Sequence, residues 1–171
     1  PSRTRPIHGQ IQTKGFTVQR PQTIGSDQRQ MVVFARDSSY SMSGEKSADA
    51  SRASMELAEE LAMPFNKDAF DMAMIDFNHG SRVVLAPAKA TAALSQLAPI
   101  SPGGMGTNIT AALEMALSIL EGPMPSEAPY ARPVILLFSD GQHNQAGDPA
   151  DPARRIREQA DLVTVAFGEG D

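Results

Sequence analysis

Apolar positions along the chain fall into two kinds of pattern. "QMVVFA" (30–35), "RPVILLFS" (132–139) and "DLVTVAFG" (161–168) are continuously apolar and rich in β-branched residues, as in strands covered on both faces. "AFDMAMIDF" (69–77) alternates, and "SRVVLAP" (81–87) follows it after the short turn "NHG", which predicts an antiparallel hairpin. Between these runs the period changes to that of a helix. Over 44–62 the apolar positions are Ala50, Ala53, Met55, Leu57, Ala58, Leu61 and Ala62, with Pro64 just beyond. Over 107–122 Ile109, Ala112, Leu113, Ala116, Leu117 and Leu120 share one face, and Gly122 stops it. A short helix is expected over 89–97. Another is expected over 151–160, capped by Asp151 with Pro152 in its first turn. The order is strand, helix, hairpin, helix, strand, helix, strand. It predicts an α/β fold of three layers: a doubly wound, mostly parallel sheet with one antiparallel edge strand and helices on both faces. The sequence stops just after a strand, so a closing helix is expected to lie outside it.

Residues 1–30 break this pattern. They are polar, with Pro1, Pro6 and Pro21, and "GQIQTKGFTVQR" alternates weakly, as a hairpin, an added strand or extended coil would. They form a lead-in to a domain spanning 31–171. Charge divides at the same point: the lead-in has five Lys/Arg against one acid, the remainder ten against nineteen. The formal net charge of −5 argues against nucleic acid as a partner. No apolar run reaches the ~20 residues that span a bilayer, so no membrane is expected either. The absence of cysteine excludes disulfides, zinc–thiolate sites and thiol nucleophiles, and fits a reducing, cytoplasmic setting.

Candidate chemistry gathers where strands end. In "FARDSSYSMSGE" (34–45) Asp37 follows an apolar strand, and Asp140 follows another in "VILLFSDGQ". Ligands of such sheets bind outside the carboxyl ends of the strands. If the two strands are neighbours, the carboxylates start ~5 Å apart and repel unless a cation lies between them. Ser39 and Ser41 alternate after Asp37 and can turn to one point. Thr107 opens a helix after the glycine-rich "SPGGMGT". Hydroxyls with one or two carboxylates suit Mg²⁺, Mn²⁺ or Ca²⁺ rather than zinc or copper. Each residue also has a plainer reading: Asp37 and the serines as a cap for the helix near Gly44, Thr107 as a cap for its own helix, Asp140-Gly141 as a turn.

Asp37-Ser38-Ser39-Tyr40-Ser41-Met42, Thr107 in "GGMGTNI" and Asp140 in "FSDG" together resemble the metal-ion-dependent adhesion site of von Willebrand factor A domains, with its D-x-S-x-S, distant Thr and distant Asp. The resemblance covers 31–168 and implies a Rossmann-like fold. It implies that Asp37, Ser39, Ser41, Thr107 and Asp140 hold a divalent cation, Mg²⁺ first and Mn²⁺ or Ca²⁺ next. A protein partner's Asp or Glu would complete the coordination. Tyr40 departs from the family's usual glycine and makes the rim bulkier. Tyr40, Met42, Met105 and His143 are expected around the site. The compact, cysteine-free style is most like bacterial stand-alone members, including tellurium-resistance-associated proteins and the subunits that work beside chelatase-type ATPases.

The expected function is therefore a metal-dependent protein-binding module and not an enzyme. The alternatives are a Mg²⁺-dependent phosphohydrolase and a structural ion site without an exchangeable partner. Haloacid-dehalogenase-type phosphatases place an acid–base Asp two residues after the nucleophile, where this chain has Ser39. No G-x-S-x-G elbow is present for a serine hydrolase.

Overall fold

The computed structural model describes residues 27–141 and 143–168, together with the backbone of four short strands in the lead-in. Those strands are β1 (Thr4–Pro6), β2 (Ile11–Thr13), β3 (Phe16–Val18) and β4 (Thr23–Gly25). β2 pairs antiparallel with β3, and β1 with β4, so the hairpin expected over "GQIQTKGFTVQR" sits inside a second antiparallel pair.

The main sheet has five strands: β5 (Gln30–Asp37), β6 (Phe70–Phe77), β7 (Ser81–Lys89), β8 (Val134–Ser139) and β9 (Asp161–Ala166). Their order across the sheet is β7-β6-β5-β8-β9. β5 is central and parallel to β6 and β8, β9 is parallel to β8, and β7 is the antiparallel edge. This is the doubly wound arrangement that the run of elements predicts. All eight residues of β5 are buried, and likewise of β6, which is why both read as strands without a solvent face.

Among the described residues four helices cover the sheet: α1 (Glu45–Leu61), α2 (Ala90–Ala93), α3 (Ile109–Glu121) and α4 (Ala150–Arg157). Val32 and Phe34 of β5 turn to one face and pack with Ala53, Leu57 and Leu61 of α1 and Ala90 and Ala93 of α2. Met31 and Val33 turn to the other and meet Leu113, Ala116 and Leu117 of α3 and Ile156 of α4. Phe34, Phe138 and Phe167 stack in series, with ring centroids 6.2 and 6.1 Å apart. Truncating Phe34, fully buried at the centre, would cost about 3–5 kcal/mol.

Two local details differ from expectation. α4 is entered through Pro149, and Asp148 Oδ1 accepts from Ala150 N–H at 2.9 Å. Asp151, expected as the cap, instead lies in the first turn and pairs with Arg154 at 2.9 Å. The segment 89–97 has only four residues of α-helix, then the tighter turn Leu94–Gln96.

The crossover through α1 leads from β5 to β6 on one side, and β8 lies on the other. The connections after β5 and β8 therefore leave in opposite directions, opening a crevice at the carboxyl edge. Arg36 pairs in register with Phe138, which brings Asp37 and Ser139 side by side at that edge.

Candidate functional site

Asp37 ends β5 and is fully buried. Its Oδ2 accepts from Ser139 Oγ at 2.7 Å, and its Oδ1 from Ser39 N–H at 2.9 Å. One carboxylate is thus fixed by the neighbouring strand and by its own loop. Ser38 faces the opposite way: its amide and hydroxyl both donate to Phe77 O, at 2.7 and 3.0 Å. That contact sets the alternation, and Ser39 Oγ and Ser41 Oγ lie 3.0 Å apart. Two oxygens at right angles on an ion ~2.1 Å away stand about 3.0 Å apart, so this pair already has the spacing of two ligands on a small hard cation. Ser39 is buried and Ser41 exposed, so the pair runs from floor to opening.

Three loops close on one another through backbone bonds. Ser39 bridges to Gly104, and Tyr40 N–H donates to Gly104 O at 2.9 Å, joining the loop after β5 to the glycine-rich loop. Thr107 is 1 % exposed; its N–H donates to Asn144 Oδ1 at 2.8 Å, and its carbonyl accepts from Asn144 N–H at 3.1 Å. Those bonds join the glycine-rich loop to the loop that follows Asp140. Glycine is needed at two points of the glycine-rich loop. A Cβ on Gly104 would meet Asn78 Nδ2 at 2.0 Å, and Gly106 combines φ of 81° with Gln145 Nε2 at 2.4 Å from its would-be Cβ.

Asp140 follows β8, with its side chain 4 % exposed and Lys46 Nζ at 3.6 Å from Oδ2. Side-chain contacts at this edge therefore include Ser39 with Ser41, Ser139 with Asp37, and Lys46, from the first turn of α1, with Asp140. Among the described residues no three His, Asp or Glu side chains gather to hold a metal, so a cation site here rests on hydroxyls.

The plainer readings can be checked against geometry. α1 starts at Gly44 with no side-chain cap bond, so Asp37 and the serines do not cap it. α3 is capped by Asn108, whose Oδ1 accepts from Ala111 N–H at 2.9 Å, so Thr107 is not its cap. Of the expected rim, Tyr40 and Met105 are exposed, whereas Met42 is fully buried under the loop with Ala50 and Ile100. His143 Nδ1 accepts from Ile109 N–H at 3.2 Å, which leaves the proton on Nε2, donated to Gly147 O at 2.9 Å. Both ring nitrogens are committed, and His143 acts as a brace between α3 and the loop after Asp140.

Sequence reasoning missed Ser139 and Lys46. Ser139 stands next to Asp140 in "FSDG" and reads as the end of a strand. Lys46 reads as an ordinary first-turn residue. Also missed is the ion pair of Arg36 and Asp76, 1 % and 3 % exposed, with Arg36 Nε and Nη2 donating to Asp76 at 2.7 and 3.1 Å. Arg36 Nη1 donates to Ala98 O at 2.9 Å and tethers the segment leading into the glycine-rich loop. Asp76 lines a polar cleft of about 560 Å³ beside Ser38, His79 and Gly104, and its charge there is already balanced by Arg36.

The sequence profile of the von Willebrand factor type A domain matches residues 32–171. A search of curated proteins gives no match. Among solved structures, the von Willebrand factor type A protein from Catenulispora acidiphila is 24 % identical, with a TM-score of 0.62, over 86 % of this chain and 35 % of its own. The corresponding domain of the type V pili tip protein Mfa5 from Porphyromonas gingivalis is 24 % identical, with a TM-score of 0.56, over 70 % of this chain and 40 % of its own. Proximal thread matrix protein 1 from the mussel byssus, solved with a zinc-occupied MIDAS motif, is 18 % identical, with a TM-score of 0.62, over 84 % and 39 %. At these identities the likeness is one of fold, and the chain spans less than half the length of each of these three proteins.

Proposed function

The chain belongs to the von Willebrand factor type A domain family, and from that premise we propose that it is a metal-dependent protein-binding module. Ser39, Ser41 and Thr107 give hydroxyl oxygens to one divalent cation, and Asp37 and Asp140 give carboxylates, directly or through water. When bound, the cation supplies an electron-poor centre with a position open to a partner's Asp or Glu. The observation that carries this reading is the pair of serine hydroxyls 3.0 Å apart beside a buried carboxylate that Ser139 holds in place. The zinc-occupied motif of the mussel protein supports a divalent ion on such a constellation. The hard oxygen donors favour Mg²⁺, with Mn²⁺ and Ca²⁺ next.

Binding rather than catalysis is proposed because Ser39 stands where a phosphohydrolase of the D-x-D type needs its acid–base carboxylate. Turnover of an aryl phosphate with Mg²⁺ would contradict this. Within the family, we place the chain with bacterial stand-alone, tellurium-resistance-associated domains and in the cytoplasm; cell fractionation tests the location.

The test of the ion site is a thermal melt of EDTA-stripped protein with Mg²⁺, Mn²⁺, Ca²⁺ or Zn²⁺, beside the same series on Thr107→Ala. A ligand at 100 times its dissociation constant adds about 2.7 kcal/mol to stability, a shift that is easily read. The expected result is a shift in the native protein that the variant loses. Equal shifts in both would remove Thr107 from the site.

A further inference from the structure

Large apolar side chains are exposed at six described positions, and the two most exposed, Tyr40 at 72 % and Met105 at 84 %, both stand on the loops that carry the proposed ligands. Tyr40 lies between Ser39 and Ser41. Met105 lies two residues before Thr107.

These side chains are presented by a tightly held backbone. Tyr40 N–H is bonded to Gly104 O, so the two residues project from adjoining strips of chain. Met105 sits between Gly104, packed so closely on Asn78 that a Cβ there would displace it, and Gly106, whose φ of 81° is a conformation that side chains rarely adopt. Two residues after Tyr40, Met42 is fully buried with Ala50 and Ile100 and anchors the same loop. An aromatic ring with few rotatable bonds and a pliable thioether, both held in water beside a charged site, are what an interface anchor requires.

We propose that Tyr40 and Met105 form an apolar collar around the ion position and select a partner segment in which the metal-binding Asp or Glu is flanked within two residues by a large apolar side chain. This rests on the ion-site reading above. The acid reaches the cation while its apolar neighbour covers the collar, which removes water from around the charge pair and strengthens it. Neither contact suffices alone. An acid without the neighbour leaves the collar wet, and an apolar segment without the acid leaves the cation unsatisfied.

The test uses a display library of short constrained loops with one fixed Asp and randomised flanks, panned on the Mg²⁺-loaded protein and eluted with EDTA. The expected outcome is enrichment of aromatic or large aliphatic residues within two positions of the Asp. Synthetic peptides of the enriched sequences should bind Tyr40→Ser/Met105→Ser at least tenfold more weakly, while the cation-induced melting shift of that variant is unchanged. EDTA-elutable sequences without apolar flanks, or equal binding to the variant, would overturn the collar and leave the ion site standing. Apolar sequences that bind equally in EDTA would also overturn it, since the collar would then act without the ion. No melting shift with any cation would overturn the ion site and the collar with it.

Discussion

Buried carboxylates stand at both ends of the sheet, and Asp71 at one end has surroundings opposite to those of Asp37 and Asp140 at the other, where Asp76 is also locked to a guanidinium. At the amino edge Asp71 is fully buried and takes both oxygens' worth of bonds from Arg29 Nε, at 3.1 and 3.2 Å, with Tyr130 Oη donating to it as well. Arg29 is itself only 8 % exposed, and its Nη2 also donates to Phe70 O at 3.1 Å. The cation at that end is therefore built in. At the carboxyl edge Asp37 is held by a hydroxyl and an amide, and Asp140 faces a lysine whose side chain is 38 % exposed and can withdraw. A guanidinium locked to a carboxylate holds a fold together. Neutral donors with a removable ammonium leave room, in the function proposed, for an exchangeable ion.

The sharpest way to break this contrast is to cut each end in turn. Asp71→Ala strands the Arg29 guanidinium in the interior and should cost about 3–5 kcal/mol, read as a fall in the urea midpoint that no divalent cation restores. Cation rescue of that variant would contradict the division of roles. Asp140→Ala should do the reverse. Without ions its stability should stay within about 1 kcal/mol of the native protein, since a like charge near Asp37 is removed. The gain of about 2.7 kcal/mol from saturating Mg²⁺ should disappear. His143→Ala should keep most of that gain, because both ring nitrogens are taken up by backbone groups of Ile109 and Gly147.

Lys46→Met makes a smaller test. Half-exposed ion pairs contribute up to about 1 kcal/mol, so removing a competing cation should tighten Mg²⁺ binding by up to about fivefold in a calorimetric titration. Weaker binding would give Lys46 a supporting role instead. The smallest effect belongs to Tyr130. Burial first, and then its bond to Asp71, raise its pKa above the ordinary value of 10.0. The folded state therefore favours the neutral phenol. That stability is present below about pH 10 and is lost as pH rises through the raised value. Tyr130→Phe should flatten the alkaline fall of the urea midpoint, and an unchanged slope would contradict the assignment.

The same contrast explains what the sequence disclosed. β5 and β8 were legible because strands buried on both faces have no polar positions to interrupt them, and Asp37 and Asp140 stand out where those runs stop. Ser39, Ser41 and Thr107 were legible as a spacing. The residues that hold them were not. Ser139 reaches Asp37 across 102 positions of chain, and Asn144 reaches Thr107 across 37. Nothing local marks either partner. Arg36 directly follows the apolar run in sequence, yet it is buried through a bidentate pair with Asp76 on the neighbouring strand. Asp151 seemed the cap of α4 because it precedes a proline, but Asp148 makes the bond to the first free amide and Asp151 turns to Arg154. In the lead-in, the inner pair β2–β3 falls within the weakly alternating "GQIQTKGFTVQR", while the outer strands β1 and β4 stand as isolated three-residue pieces in polar sequence with no neighbouring alternation to mark them.

The central claim is that Ser39, Ser41, Thr107, Asp37 and Asp140 hold one exchangeable divalent ion. Mn²⁺ tests it most directly, because its paramagnetic resonance signal falls when it binds and returns when it is displaced. Titration of EDTA-stripped protein should give one bound Mn²⁺ per chain, displaced by Mg²⁺, absent in Thr107→Ala and retained in Tyr130→Phe. Free Mn²⁺ throughout the titration, or equal binding by Thr107→Ala, would contradict it.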